Sequence, residues 1–360
     1  MTDSSLQPRA YLEEVRQPVN AVLREFIEQQ QNSIPPDVDI GPAVRALGDF
    51  VLHGGKRIRA ALCYWGWRGA GGGDEDLTSA YRAAAALEVC HCFGLIHDDI
   101  IDGTATRRGR PSLHCQLASL HEQAGWHGDA AAFGRSSALL MGDLCLFWAD
   151  ELLTTACSEE RLVEVRLEYS GMRVAEVCGQ MLEMIVQASR DFDVSSGMTV
   201  AHYKTAKYAT ERPLQIGGRL AGSSAELRKS YAAFGLPLGE AFQLRDDILG
   251  VFGDPAVTGK PITDDLREGK PTVLIAHAYT NATPAQRSRM DELYGKADLD
   301  EAQAAVLREI IQVTGARDAV EKAIEVRIEQ SLSALDDAPI VEEARRVLAD
   351  LSIAITDRDR

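Results

Sequence analysis

The sequence predicts an all-α fold: a single domain over residues 1–360, with about ten or more helices packed as a bundle. Apolar residues recur every three or four positions through most of the chain, strand-like alternation is scarce, and short clusters of Gly, Pro, Ser and Asn separate the periodic runs. No long linker and no repeat of fixed period divides the chain.

The elements follow in chain order. Residues 11–30, YLEEVRQPVNAVLREFIEQQ, carry the helical period and stop at NSIPPDVD. After RGAGGGDED, residues 79–101 form a helix of small residues, apolar nearly all round, as a buried central helix is. SALLMGDLCLFWADELL, residues 137–153, is the most apolar later run. Asp143 and Asp150 interrupt it, and it is too short and too charged to span a bilayer. Residues 161–185 repeat the helical spacing up to SRDFDVSSG. Residues 231–251, after AGSSAE, are buried in the manner of 79–101. Beyond YTNATPAQ, residues 305–335 keep the period, and the stretch 281–360 carries only this generic pattern.

A net charge of −16 and a pI near 5.0 argue against nonspecific binding to nucleic acid or anionic membranes. An acidic protein that takes an anionic substrate must concentrate cations locally or recruit metals. The start, MTDSSLQPRAYLEEV, has no apolar signal core, and no C-x-x-C pair occurs among seven cysteines. The expectation is a cytoplasmic protein with reduced thiols, no nucleic-acid partner and no stable membrane anchor. Cys90, His91 and Cys92 are adjacent on a helix and point about 100° apart, which disfavours a shared zinc.

Two buried helices end in paired aspartates. Asp98 and Asp102 are i and i+4, one above the other on one face, with Asp99 beside them. Such a face chelates a hard dication through oxygen, and Mg²⁺ fits because it takes few carboxylates and completes its shell with water and phosphate. The second cluster, Asp246-Asp247, has Gly250 where the i+4 carboxylate would stand, and Asp254 falls past the helix end. A solvated acidic helix face explains one such cluster better than two.

The cations are gathered in four segments. GGKRIRA places Lys56 and Arg59 three apart, directly after Gly54 and Gly55, where a helix N-terminus favours an anion. No G-K-[ST] occurs, which excludes a P-loop. RRGRP, with Arg107 and Arg108, follows the first aspartates by one short loop. HYKTAKY carries Lys204 and Thr205, and GKPITDDLREGKPT carries Lys260 and Lys270. Singly, each is a surface or ion-paired segment. Together with two aspartate clusters they match one need: a diphosphate bridged by Mg²⁺ to carboxylates and neutralised by Lys and Arg.

The ordered motifs GGKRIR, HDDIID with RRGRP, GQMLEM, YKTA, and FQLRDDILGVFGD with GKPITDDLREGKPT resemble the trans-isoprenyl diphosphate synthases, or polyprenyl synthetases, from about residue 40 to about residue 280. The resemblance implies an all-α bundle of isoprenoid synthase type around a deep central cavity, a homodimer, and Mg²⁺ as cofactor, about three ions in the closed complex, with Mn²⁺ able to substitute. It implies head-to-tail condensation of isopentenyl diphosphate with an allylic diphosphate, with diphosphate released. On this resemblance Asp98, Asp99 and Asp102 hold metal on one side, and Asp246 with Asp247 on the other. Arg107, Lys204, Thr205, Gln243 and Lys260 contact the allylic diphosphate. Lys56, Arg59, His91 and Arg108 hold isopentenyl diphosphate, and Lys270 lines the same mouth.

Three positions depart from the family pattern: Ala60 for a proline, Glu183 for the aspartate of G-Q-x-x-D, and Gly250 for the last aspartate of the second motif. Phe93 lies five residues before Asp98, about 7.5 Å deeper along a helix axis, and Gly94 beside it leaves space. One aromatic there, with no insertion in the first motif, resembles synthases that stop at geranylgeranyl diphosphate. Farnesyl diphosphate is the runner-up product. A class I terpene cyclase, or a non-catalytic synthase subunit, are the rival readings. GGKRIR and DDILG argue against the first, and the intact aspartates and arginines against the second.

Overall fold

The computed structural model describes residues 7–35, 37–254 and 263–356. Helices dominate it, as expected, and its only strands among the described residues form one two-residue hairpin. The helices gather into two compact units. One runs through Arg166 and includes Ile216–Ser223; the other comprises Leu167–Gln215 and the residues from Ser224 onward.

The first unit contains α1 (Gln7–Ser33), α2 (Gly41–Leu52), α3 (Ile58–Gly69), α4 (Leu77–Ile101), α5 (Leu113–Gln123) and α6 (Ala130–Ala156). The α4 run Ala83–Ala86 is fully buried, and α4 packs most extensively on α6. Alanines keep the surface of α4 low enough for a close helix neighbour. The buried Arg57 of this unit is paired: it donates to Glu88 Oε2 at 3.1 Å, to Asn20 Oδ1 at 3.1 Å and to the Val51 carbonyl at 2.9 Å. A Cβ at Gly54 would lie 2.0 Å from the Arg57 guanidinium carbon, so glycine lets that side chain pass inward.

The strands β1 (Thr106–Arg107) and β2 (Arg110–Pro111) pair antiparallel, Arg107 opposite Arg110. Arg108 and Gly109 between them have φ of +54° and +72°, the two left-handed residues of a tight hairpin turn. The helical reading gave no signal for this hairpin, because its strands are two residues long. The apolar run at 137–153 lies within the 27-residue α6. By length and composition α6 is, among the described residues, the one helix that could cross a membrane; 28% of its most apolar window is buried.

Helix α7 (Glu159–Ser189) continues into the second unit, followed by α8 (Val194–Val200), a π-helical segment (Ala201–Glu211), α9 (Arg212–Leu220), α10 (Ala225–Phe252), α11 (Asp264–Glu268), α12 (Val273–Asn281), α13 (Pro284–Leu293), α14 (Glu301–Val313), α15 (Ala316–Asp336) and α16 (Glu342–Thr356). The breaker SRDFDVSSG is only partly loop, since Asp193 caps α8 through the Ser195 N–H. The periodic stretch 305–335 is two helices, broken at Gly315, whose φ is +71°. Helix α10 is the spine of this unit. Arg245 clasps Glu321 with two 2.8 Å hydrogen bonds and donates to the Thr356 carbonyl at 2.9 Å, so the C-terminal helices fix α10.

Candidate active site

Each unit carries one group of the expected residues. In the first unit the end of α4 holds Asp98, Asp99 and Asp102, and β1 delivers Arg107 to them. Asp99 is buried and its carboxylate takes Arg107 Nε at 2.7 and 2.9 Å and Nη2 at 2.5 Å; Arg107 also reaches Asp98 at 3.4 Å. Burial works against the Arg107 charge. The Asp99 hydrogen bonds and the charges of Asp99, Asp98 and Asp102 outweigh it and raise the pKa. Asp98 and Asp102 therefore share their face of α4 with a fixed cation, while Asp99 is the carboxylate that fixes it.

A second cationic group lies about two turns of α4 earlier, around His91. Arg108 donates to the His53 carbonyl at 3.0 Å and comes within 3.3 Å of a Cβ placed on Gly55, which seats it on the GGKR loop. Lys56 is exposed on that loop and Arg59 half-buried. His91 is held well below its ordinary pKa by burial first, then by Arg59, Arg108, Arg107 and Arg57. Its ring is neutral and can donate one N–H without adding charge. Arg59 and Arg108 are thus gathered around His91, and Lys56 stands on the adjoining loop. Phe93, also on α4, is buried and meets the His97 ring edge-on at 4.7 Å between centroids; Gly94 is half-buried.

In the second unit the π-helical segment presents Lys204 and Thr205. Such wide turns are rare and cluster at functional sites. A Cβ on Gly179 would lie 2.4 Å from the Lys204 backbone nitrogen, so the glycine of GQMLEM allows α7 to approach the segment. Lys204 is ion-paired with Glu183 of the same motif, which also accepts from Gln180 at 3.3 Å. Thr205 donates to Gln243 Oε1, and Gln243 donates to Asp247 Oδ1 at 2.8 Å. Asp247 is buried; burial drives its pKa up, the Gln243 bond opposes this, and Asp265, Asp246 and Glu183 add to it, to about 8. Asp246 is half-buried one position earlier. Lys270 sits 2.9 Å from Glu268 and 3.8 Å from Asp265. Lys260 lies outside the described residues.

The sequence reading passed over Asp265 and Glu268, although the acidic stretch TDDLREGK was visible; adjacent lysine and arginine made it look self-neutralised. Among the described residues no three His, Cys, Asp or Glu side chains converge tightly enough to hold a metal on their own. Mg²⁺ does not require such a cage, being bound through one or two carboxylates together with substrate phosphates. The donors are all oxygens, and each cluster has cations beside it that a diphosphate would satisfy.

The polyprenyl synthetase family model matches residues 42–312. The chain belongs to the polyprenyl synthetase family. The matched span takes in both aspartate clusters and every cationic segment described above. Among curated relatives, a geranylfarnesyl diphosphate synthase from Aeropyrum pernix is 32% identical, over 89% of this chain and 93% of its own length. A geranylgeranyl diphosphate synthase from Mycobacterium tuberculosis is 30% identical, over 79% of this chain and 75% of its own. Among solved structures, a geranylgeranyl pyrophosphate synthase from Corynebacterium glutamicum, complexed with isoprenyl diphosphate and magnesium, is 39% identical with a TM-score of 0.92, covering 97% of this chain and 99% of its own. The polyprenyl synthetase fold of this chain is therefore the all-α fold of these relatives.

Proposed function

We propose that this polyprenyl synthetase condenses isopentenyl diphosphate with allylic diphosphates head to tail and stops mainly at the twenty-carbon geranylgeranyl diphosphate. What carries the reading is the provision of both units with carboxylates and fixed cations: Arg107 locked on Asp99, Lys204 on Glu183. Asp98, Asp102, Asp246 and Asp247 would hold Mg²⁺, which supplies electrostatic stabilisation of the leaving diphosphate. Asp99 contributes chiefly by holding Arg107 in place.

In this reading the allylic C–O bond breaks and its electron pair leaves with the diphosphate, whose growing charge Arg107, Lys204, Thr205, Gln243 and Lys260 meet. The double bond of isopentenyl diphosphate then attacks the allylic carbon, and the released diphosphate accepts the proton that is lost. Lys56, Arg59 and Arg108 neutralise the isopentenyl diphosphate while neutral His91 donates to it; Lys270 adds charge at the mouth. The apolar α4 residues before Asp98 exclude water from the cation, and Phe93 limits the length of the tail.

The similar proteins make products of different length, so product length rests on Phe93 and Gly94 and not on likeness. Extending each short allylic diphosphate and chromatographing the dephosphorylated products tests it. Twenty-carbon alcohol as the main peak supports the reading; fifteen or twenty-five carbons would replace it.

A homodimer belongs to the same proposal. Leu140 and Phe147 on α6, and Leu167, Val174 and Met181 on α7, are apolar and exposed, the α7 set seven residues apart. Such stripes suit a second copy of the chain.

A further inference from the structure

The two aspartate clusters differ at one place. In the first, Asp98 and Asp102 form an i, i+4 pair; in the second, Asp246 faces Gly250 at the same spacing. A Cβ built on Gly250 would lie 1.8 Å from Asp265 Oδ2 and 2.8 Å from its Cγ. The first distance is close to the length of one carbon–carbon bond, about 1.5 Å. The Asp265 carboxylate, arriving from α11, thus occupies the space into which a side chain at 250 would extend, one turn along the face of α10 that carries Asp246.

We propose that Asp265 is a metal-binding residue of the second cluster, supplying the carboxylate that position 250 lacks, and that Gly250 is the gap that admits it. This rests on the Mg²⁺-dependent reading above. The 3.8 Å separation of Lys270 from Asp265 is too long for a hydrogen bond, and Lys270 lies closer to Glu268 at 2.9 Å. The Asp265 oxygens remain able to turn to a cation. Adding a carboxylate at 250 without removing the one at 265 would crowd two charges into the volume of one.

The test is Mn²⁺ binding by the full chain in the presence of inorganic pyrophosphate, read from the electron paramagnetic resonance signal of free Mn²⁺, with thermal melts as the control of fold. Asp265→Asn, nearly isosteric, is expected to weaken the affected Mn²⁺ by at least about tenfold. Gly250→Asp alone weakens it too. The swap, Gly250→Asp with Asp265→Ala, is expected to return affinity to within about threefold of wild type, a recovery that a merely structural Asp265 would not give. Wild-type affinity in Asp265→Asn, or a folded swap that does not recover, overturns the proposal; should the swap not fold, Asp265→Asn decides alone. Absence of Mn²⁺ binding by the unaltered chain would overturn the metal-dependent reading itself, and this inference with it.

Discussion

At the scale of single residues, charge and its placement decide the chemistry. Asp98→Ala or Asp102→Ala should lower turnover by about 10³-fold with little change in the melting curve, because each removes a carboxylate proposed to hold metal. Near-normal turnover in Asp98→Ala would remove it from the site. The two cationic groups should separate by substrate. Arg59→Ala raises KM for isopentenyl diphosphate more than for the allylic partner, whereas Lys204→Ala chiefly lowers kcat, since leaving-group charge grows in the transition state. Equal effects on both substrates would mean that the division is wrong. Asp247 gives a pH dependence. Its folded pKa, about 8, lies above the ordinary carboxylate value, so the folded chain holds a proton that the unfolded chain has lost. The metal-free protein should therefore lose stability as pH rises from about 4 to about 8, and Asp247→Asn should flatten that slope in thermal melts. Much of this was legible in the sequence: paired aspartates after apolar helices, and basic segments that made sense only together. What was not legible is which carboxylate serves which partner. Asp99 and Asp98 look equivalent as letters, yet helix rotation buries Asp99 under Arg107 and leaves Asp98 accessible.

At the scale of elements, α4 carries both the carboxylates and the wall proposed to set product length. Phe93→Ala should shift products to longer chains and Gly94→Phe to shorter ones. Unchanged product length in both variants would move the limit to another helix. The π-helical segment depends on close approach by α7. Gly179→Ala would push a methyl group to 2.4 Å from the Lys204 nitrogen and 2.6 Å from its Cα, backbone atoms that cannot swing aside. That variant should lose about 1–3 kcal/mol of stability and lower kcat together, measured by denaturant unfolding and steady-state kinetics. The long helices were readable from the period of their apolar residues. The π-helical turns were not, since Thr205, Thr210 and the glycines packed on them fix the register through tertiary contacts rather than local propensity. The break at Gly315 was hidden because the apolar period resumes on its far side.

At the scale of the whole molecule, the C-terminal helices, featureless in sequence, hold the spine of the second unit. Glu321→Ala would leave the buried Arg245 guanidinium without its carboxylate. Glu321 is a quarter exposed, so the loss should be about 2 kcal/mol rather than the 3–5 kcal/mol of a fully buried pair. If the exposed stripes on α6 and α7 receive a second copy, Leu140→Glu combined with Phe147→Glu should sediment as a monomer where the unaltered chain sediments as a dimer. The central claim, coupling of two diphosphates by this chain alone, is tested most directly by diphosphate release. Purified protein with Mg²⁺ and an allylic diphosphate should release diphosphate only when isopentenyl diphosphate is added, one equivalent for each five-carbon extension. Release from the allylic substrate alone, or no release until a second protein is supplied, would contradict it.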